Sequence, residues 1–170
     1  MPQLKKNGFT LIELLVVVVL LGVMTSLAVL AVGTSSSDRI MEEEAKRLHA
    51  LINLAREESI LKSKEIAVEI NNQDYLFVEY KNKKWTPLDK KPFQKRKMNE
   101  ILLLNVEDES KTELFKKDKN NILRLYFLSS GEQTPFEMKI SIKGKPFPYY
   151  SLKAEFNGAL KLERKNNDGS

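Results

Sequence analysis

The chain has 170 residues, room for one soluble domain of ordinary size once a terminal apolar stretch is set aside. With no cysteine and one histidine, His49, it lacks the means for a disulfide framework, a thiolate nucleophile, a thiolate metal site or a His-His metal pair, and it leaves one histidine at most for a Ser-His-Asp triad. The 28 basic and 23 acidic residues give a formal charge of +5, too small an excess to argue for nucleic acid by itself.

The first eight residues are short and carry Lys5 and Lys6. From Phe9 to Val32 the next 24 residues contain a single ionisable side chain, Glu13. As a helix that run measures about 36 Å, enough to cross a bilayer core of about 30 Å. The two lysines ahead of it favour a cytoplasmic N-terminus, with the remainder of the chain outside. Glu13 needs a reason, because a charged group at the bilayer centre costs about 2.5–3.5 kcal/mol, though less near an interface. A cut before Phe9 supplies one. The new α-amino group would lie four residues from Glu13, one helical turn away and within pairing reach on the same chain or across a packed neighbour. An ordinary secretory signal ending at Ala31-Val32-Gly33 fits worse, since such apolar regions run about 7–15 residues. A plain single-pass anchor fits the length but gives no reason for Gly8-Phe9 or for Glu13. Gly22, Ser26 and Ala28 fit a helix-packing face as well as they fit ordinary glycine usage in membrane helices.

Lys5-Lys6-Asn7-Gly8 followed by Phe9-Thr10-Leu11-Ile12-Glu13 resembles the class III signal of type IV pilins and of the pseudopilins of type II secretion. The resemblance implies cleavage by a prepilin peptidase after Gly8, N-methylation of the exposed Phe9, and a role for Glu13 as the carboxylate that guides subunits into a filament.

After Gly33, Thr34 to Asp38 are polar and suited to capping a new helix. Met41, Ala45, Leu48, Ile52 and Ala55 then fall at steps of three and four, with Leu51 widening the stripe and Glu42, Glu43, Lys46, Arg47 and Glu57 on the other side. No proline occurs between Pro2 and Pro87, so one helix is allowed from Phe9 to about Leu61, bent or loosened near Gly33. His49, next to Leu48, reads as a surface or boundary residue without chemistry.

From Glu65 the period changes to two. Seven strands are expected: Ile66–Ile70, Tyr75–Tyr80, Ile101–Val106, Ile122–Phe127, Phe136–Ile142, Tyr150–Phe156 and Ala159–Glu163, the last two flanking the hairpin signal Asn157-Gly158. One amphipathic helix followed by short strands predicts an α+β fold with antiparallel sheet packed against that helix. The stretches Lys81 to Asn99 and Glu107 to Asn121 read as long polar loops. The first is rich in Lys and Arg around Trp85 and offers either a solvated loop with an anchoring Trp or a nucleic-acid track with a base-stacking ring. The organisation expected is a leader (1–8), an apolar helix (9–32), an amphipathic helix (33–62), an antiparallel β domain (63–164) and a polar tail (165–170).

The segment from Phe127 to Phe136, with Gly131 in the turn and Pro135-Phe136 entering the next strand, resembles the H-type minor pseudopilins. Gly131 permits a positive φ there and Pro135 limits pairing at the strand start. This resemblance implies a structural subunit, not an enzyme, with no cofactor. It would sit in the periplasmic pseudopilus, link the tip complex to the shaft, and aid export of folded proteins across the outer membrane. The implied partners are the prepilin peptidase, the major pseudopilin and other minor pseudopilins, and the inner-membrane assembly platform. The implied location is the inner membrane, single-pass, with the soluble domain periplasmic. The alternatives are a minor pilin of a type IV pilus, or a DNA receptor at a pilus tip using the Lys81 to Lys97 loop, although nucleic acid is not the partner expected.

Overall fold

The computed structural model describes residues 11–31, 36–71, 74–107 and 122–167, with the backbone alone for 24–31. The chain forms two compact units, Met1–Ser35 and Ser36–Ser170. The first contains helix α1, Leu11–Ala31, and the second opens with helix α2, Ser36–Leu61. The loosening expected near Gly33 falls between the two helices, outside the described residues.

The second unit is an α+β head built from α2 and, among the described residues, nine strands in two antiparallel sheets. Strands β1 (Ile66–Ile70), β2 (Asp74–Lys81), β3 (Lys84–Pro87) and β6 (Leu123–Phe127) form one sheet in the order β3-β2-β1-β6, and β4 (Arg96–Lys97) also pairs with β2. The other sheet has the order β5-β7-β8-β9, from Leu102–Glu107, Phe136–Ile142, Tyr149–Ala154 and Leu160–Lys165. Because β5 leaves the first sheet for the second and β6 returns, neither sheet is a separate stretch of chain.

Helix α2 packs on strands of both sheets. Met41, Ala45, Leu48, Leu51, Ile52 and Ala55, the stripe read from the sequence, are all buried. Strands β6 and β7 alternate inward and outward, so Leu123, Leu125 and Phe127 on one strand and Phe136, Met138 and Ile140 on the other face that stripe's core. Each fully buried side chain of this kind stabilises the fold by about 1.5–3 kcal/mol relative to leaving it in water.

The stretch from Lys81 to Asn99 is not the long loop expected. Lys81 pairs with Lys84 across a two-residue turn in which Asn82 and Lys83 have φ of 52° and 62°, the geometry that suits a tight hairpin. The chain then sends Leu88, Phe93 and Met98 into the core, where the Phe93 ring lies 5.1 Å from that of Phe77. Lysines hid this hairpin because they occupy its turn and outward positions, while the apolar anchors are too widely spaced to show a period. The second expected loop, between β5 and β6, lies at 108–121 outside the described residues. At the C-terminus β9 runs to Lys165, so the strand takes in the first residue of the expected polar tail.

Polar clasps fix the far end of α2. The Arg56 guanidinium donates to the Gly158 carbonyl at 2.6 Å, and Ser59 Oγ donates to the Leu128 carbonyl at 3.2 Å. Residues Phe127 to Phe136 pass from one sheet to the other: Gln133 bridges Phe127, and its side-chain Nε2 donates to the Glu155 carbonyl at 2.8 Å. Gly131 has the positive φ anticipated, 91°. Gly158, with φ of 90° in the β8–β9 turn, is needed twice over, since a Cβ there would also press on the Arg56 guanidinium. Gly158→Ala should therefore lower stability by about 1–3 kcal/mol in urea unfolding. In an Arg56→Ala background the same change should cost only the backbone strain, about 1–2 kcal/mol. Equal costs in both backgrounds would mean that the clasp contributes nothing to the glycine requirement.

Candidate functional site

Gly8 and Phe9, the expected cleavage and methylation residues, lie outside the described residues. Glu13 is in the first described turn of α1. Around it every described side chain of α1 is exposed. Leu11 is 91% accessible and Val17, the least exposed of the large apolar ones, 45%. Leu, Ile and Val occupy all sides of the helix in place of one stripe, so among the described side chains of α1 none is packed. A Cβ added at Gly22 would meet nothing within 4 Å among the described residues. Ser26 and Ala28, the other small residues considered for a helix-packing face, belong to the stretch described by backbone alone. Over the residues with described side chains no helix is long and apolar enough to cross a membrane. Those side chains stop at Val23, and the α1 backbone continues helical to Ala31.

In the head, the groups with perturbed environments serve the fold. Glu44 is 6% exposed on the inward side of α2; it accepts from Tyr75 Oη at 3.0 Å and from Arg47 Nη1 at 2.5 Å. Burial first, and the Glu44 charge second, push the Tyr75 hydroxyl well above its ordinary range, so it remains a donor. The sequence reading missed this pair, although position 44 is three residues past Met41 and four before Leu48 and so lies on the apolar stripe. On the outer face of the first sheet Trp85 packs between Tyr80 (5.2 Å) and Tyr126 (5.6 Å), with the Arg124 guanidinium 5.4 Å from its ring centre. Arg124 is in turn held by Glu69, its Nε donating at 3.0 Å. The Trp85 ring is thereby committed to its neighbours, which weakens it as a platform for a nucleic-acid base. His49 is half-buried and hydrogen-bonds within α2 to Asn53 at 3.3 Å. No group of three or more metal-ligating side chains occurs among the described residues.

Glu58 ties the lysine-rich segment to α2, contacting Lys62 at 2.6 Å and Lys90 at 3.3 Å. The hydrogen bond from Lys62 holds its carboxyl below the ordinary value of 4.5, against the opposing effect of partial burial and with help from Lys90. A carboxyl depressed in the folded state contributes stability that is complete above the unfolded value and is lost as pH falls through the folded one. Glu58→Gln should then cost stability near neutral pH, and the gap between variant and parent should close as urea titrations move from about pH 6 to about pH 3. A gap independent of pH would contradict the assignment.

Comparison with known proteins gives two family matches: "Type II transport protein GspH" over residues 44–156 and "Prokaryotic N-terminal methylation motif" over residues 3–29. The chain is similar to type II secretion system protein H of Pseudomonas aeruginosa, with 31% identity covering 88% of this chain and 91% of that one. It is similar in structure to the crystal structure of the minor pseudopilin EpsH from the type II secretion system of Vibrio cholerae, with TM-score 0.65, 27% identity, and coverage of 78% of this chain and 100% of that one. The type IV minor pilin FimU of P. aeruginosa shares the fold, with TM-score 0.56 and 16% identity over 75% of this chain and 91% of that one.

Proposed function

The chain belongs to the GspH family of type II transport proteins, structural and non-enzymatic minor pseudopilins of the type II secretion system, and on that premise we propose that it links the tip of the pseudopilus to its shaft. The observation that carries the reading is α1, apolar on every described side and acidic only in its first turn. Its 21 residues make about 31 Å of helix, matched to a bilayer core of about 30 Å. Val16 to Val19 have weak helix propensity in water, but in a bilayer the backbone has no partner other than itself, which favours the helix.

In this reading a prepilin peptidase removes residues 1–8, Phe9 becomes the N-methylated terminus, and its amino group and the Glu13 carboxylate pair, in one chain or between neighbours. The processed subunit waits in the inner membrane with its head in the periplasm. When the assembly platform lifts it out, α1 exchanges lipid for the helices of the major and other minor pseudopilins. No residue of the chain performs a reaction in this scheme. The head, with its own core, supplies the surface that neighbours read.

The test is complementation of a secretion-deficient strain lacking this subunit. Parent protein should restore export of a folded exoprotein. Gly8→Ala, blocked at processing, should restore less than about a tenth of it. Glu13→Leu should be processed and membrane-bound yet fail to cross-link to the neighbouring pseudopilins through thiols introduced into α1. Full export by the Gly8→Ala variant, with its leader still attached, would refute the proposal.

A further inference from the structure

The β8–β9 turn meets α2 near Arg56, so the opposite end of that sheet lies by the start of α2: Tyr150 is within electrostatic reach of Asp38, Glu42 and Lys46, and Glu42 of Arg164. The β7–β8 turn, residues 143–148, projects beyond Tyr149 at that same end, and its first amide donates to the Ile101 carbonyl. Lys143 and Lys145 in the turn and Arg164 near the end of β9 are exposed and make no ion pair among the described residues. Most acidic groups nearby are already matched: Glu42 by Lys46, Glu43 by Arg39, Glu100 by Lys97 and Glu163 by Lys165. Asp38 sits in the first turn of α2, where the helix end favours it. Beside the cations Phe147 is 41% exposed, between Pro146 and Pro148, its ring 5.4 Å from that of Tyr149. A hollow of about 400 Å³ lined by Lys139, Ser141, Lys145 and Tyr149 opens next to it.

Unpaired lysines around an exposed aromatic ring are the composition of a surface that meets anionic lipid, with the cations at the phosphates and the ring in the headgroup layer. Only residues 32–35 lie between α1 and α2 in the sequence. We propose that the β7–β8 turn is a membrane-surface contact, in which Lys143, Lys145 and Arg164 bind the phosphates of anionic phospholipids at the bilayer face where α1 emerges and Phe147 enters the headgroup region. This rests on the reading of α1 as membrane-anchored. The contact steadies the head before assembly and opposes extraction until neighbouring subunits replace it. Each basic residue adds about fivefold to the association with an anionic surface, and the effect weakens with salt.

The absence of native cysteine allows single thiols to report it. The full chain carrying Pro146→Cys is reconstituted in nanodiscs of phosphatidylcholine, or of phosphatidylethanolamine with phosphatidylglycerol, and modified with a water-soluble maleimide. Modification should be about tenfold slower in the anionic discs. That protection should fall to within about twofold on adding Lys143→Glu and Lys145→Glu or at high salt. Asn166→Cys, at the same end and outside the turn, should follow the same pattern should Pro146→Cys perturb the turn. Ser130→Cys, at the other end of the head, should react equally in both discs. Equal reactivity of Pro146→Cys and Asn166→Cys in the two lipids, with Val16→Cys protected in both, would overturn the proposal while leaving the anchor intact. Reactive Val16→Cys in both would overturn the anchored reading and the proposal with it.

Discussion

A helix that is apolar on every side has no inward face for its own domain to satisfy. In α1, Leu, Ile and Val point in all directions and even the least exposed of the described large side chains keeps nearly half its surface open, so the helix requires an apolar environment supplied from elsewhere. A bilayer supplies one and the interior of a helical filament supplies another, and passage between the two keeps most of that surface out of water. Everything else in the chain can be understood as serving this helix or carrying a head on it.

The head has a core of its own. Helix α2 contributes one apolar stripe to a core closed by two sheets, and the exchange of β5 and β6 between those sheets makes them fold as one body. On the inner side of α2, Glu44 accepts from Tyr75 and Arg47, Ser59 donates to the Leu128 carbonyl, and Arg56 donates through one Nη to the Gly158 carbonyl while its Nε stays without a partner among the described residues. A buried carboxylate with two donors specifies the position of α2 along the sheets more sharply than apolar contact would, because a shift leaves it without partners.

The parts of this architecture governed by strong local periodicity were readable from the residues. The six stripe positions of α2 are all buried, the seven expected strands are present with ends shifted by a residue or two, and Asn157-Gly158 makes the turn it signals. Features decided by tertiary contact were not. Strands β3 and β4 lie in a lysine-rich stretch whose apolar anchors, Leu88, Phe93 and Met98, meet only in the folded core. Glu44 reads as one of three consecutive glutamates until Tyr75, distant in sequence, is placed against it. Similarly, the segment around Gly131 has the signature of a simple hairpin, and only the structure shows that it carries the chain from one sheet to the other.

The central claim, that α1 is a processed pseudopilin helix whose first-turn carboxylate answers a new amino terminus, is tested most directly at that terminus. Mass spectrometry of the protein purified from its native membrane should find a chain beginning at N-methylated Phe9, with the unprocessed form accumulating when the prepilin peptidase is removed. A mature chain beginning at Met1 or after Gly33 would contradict it.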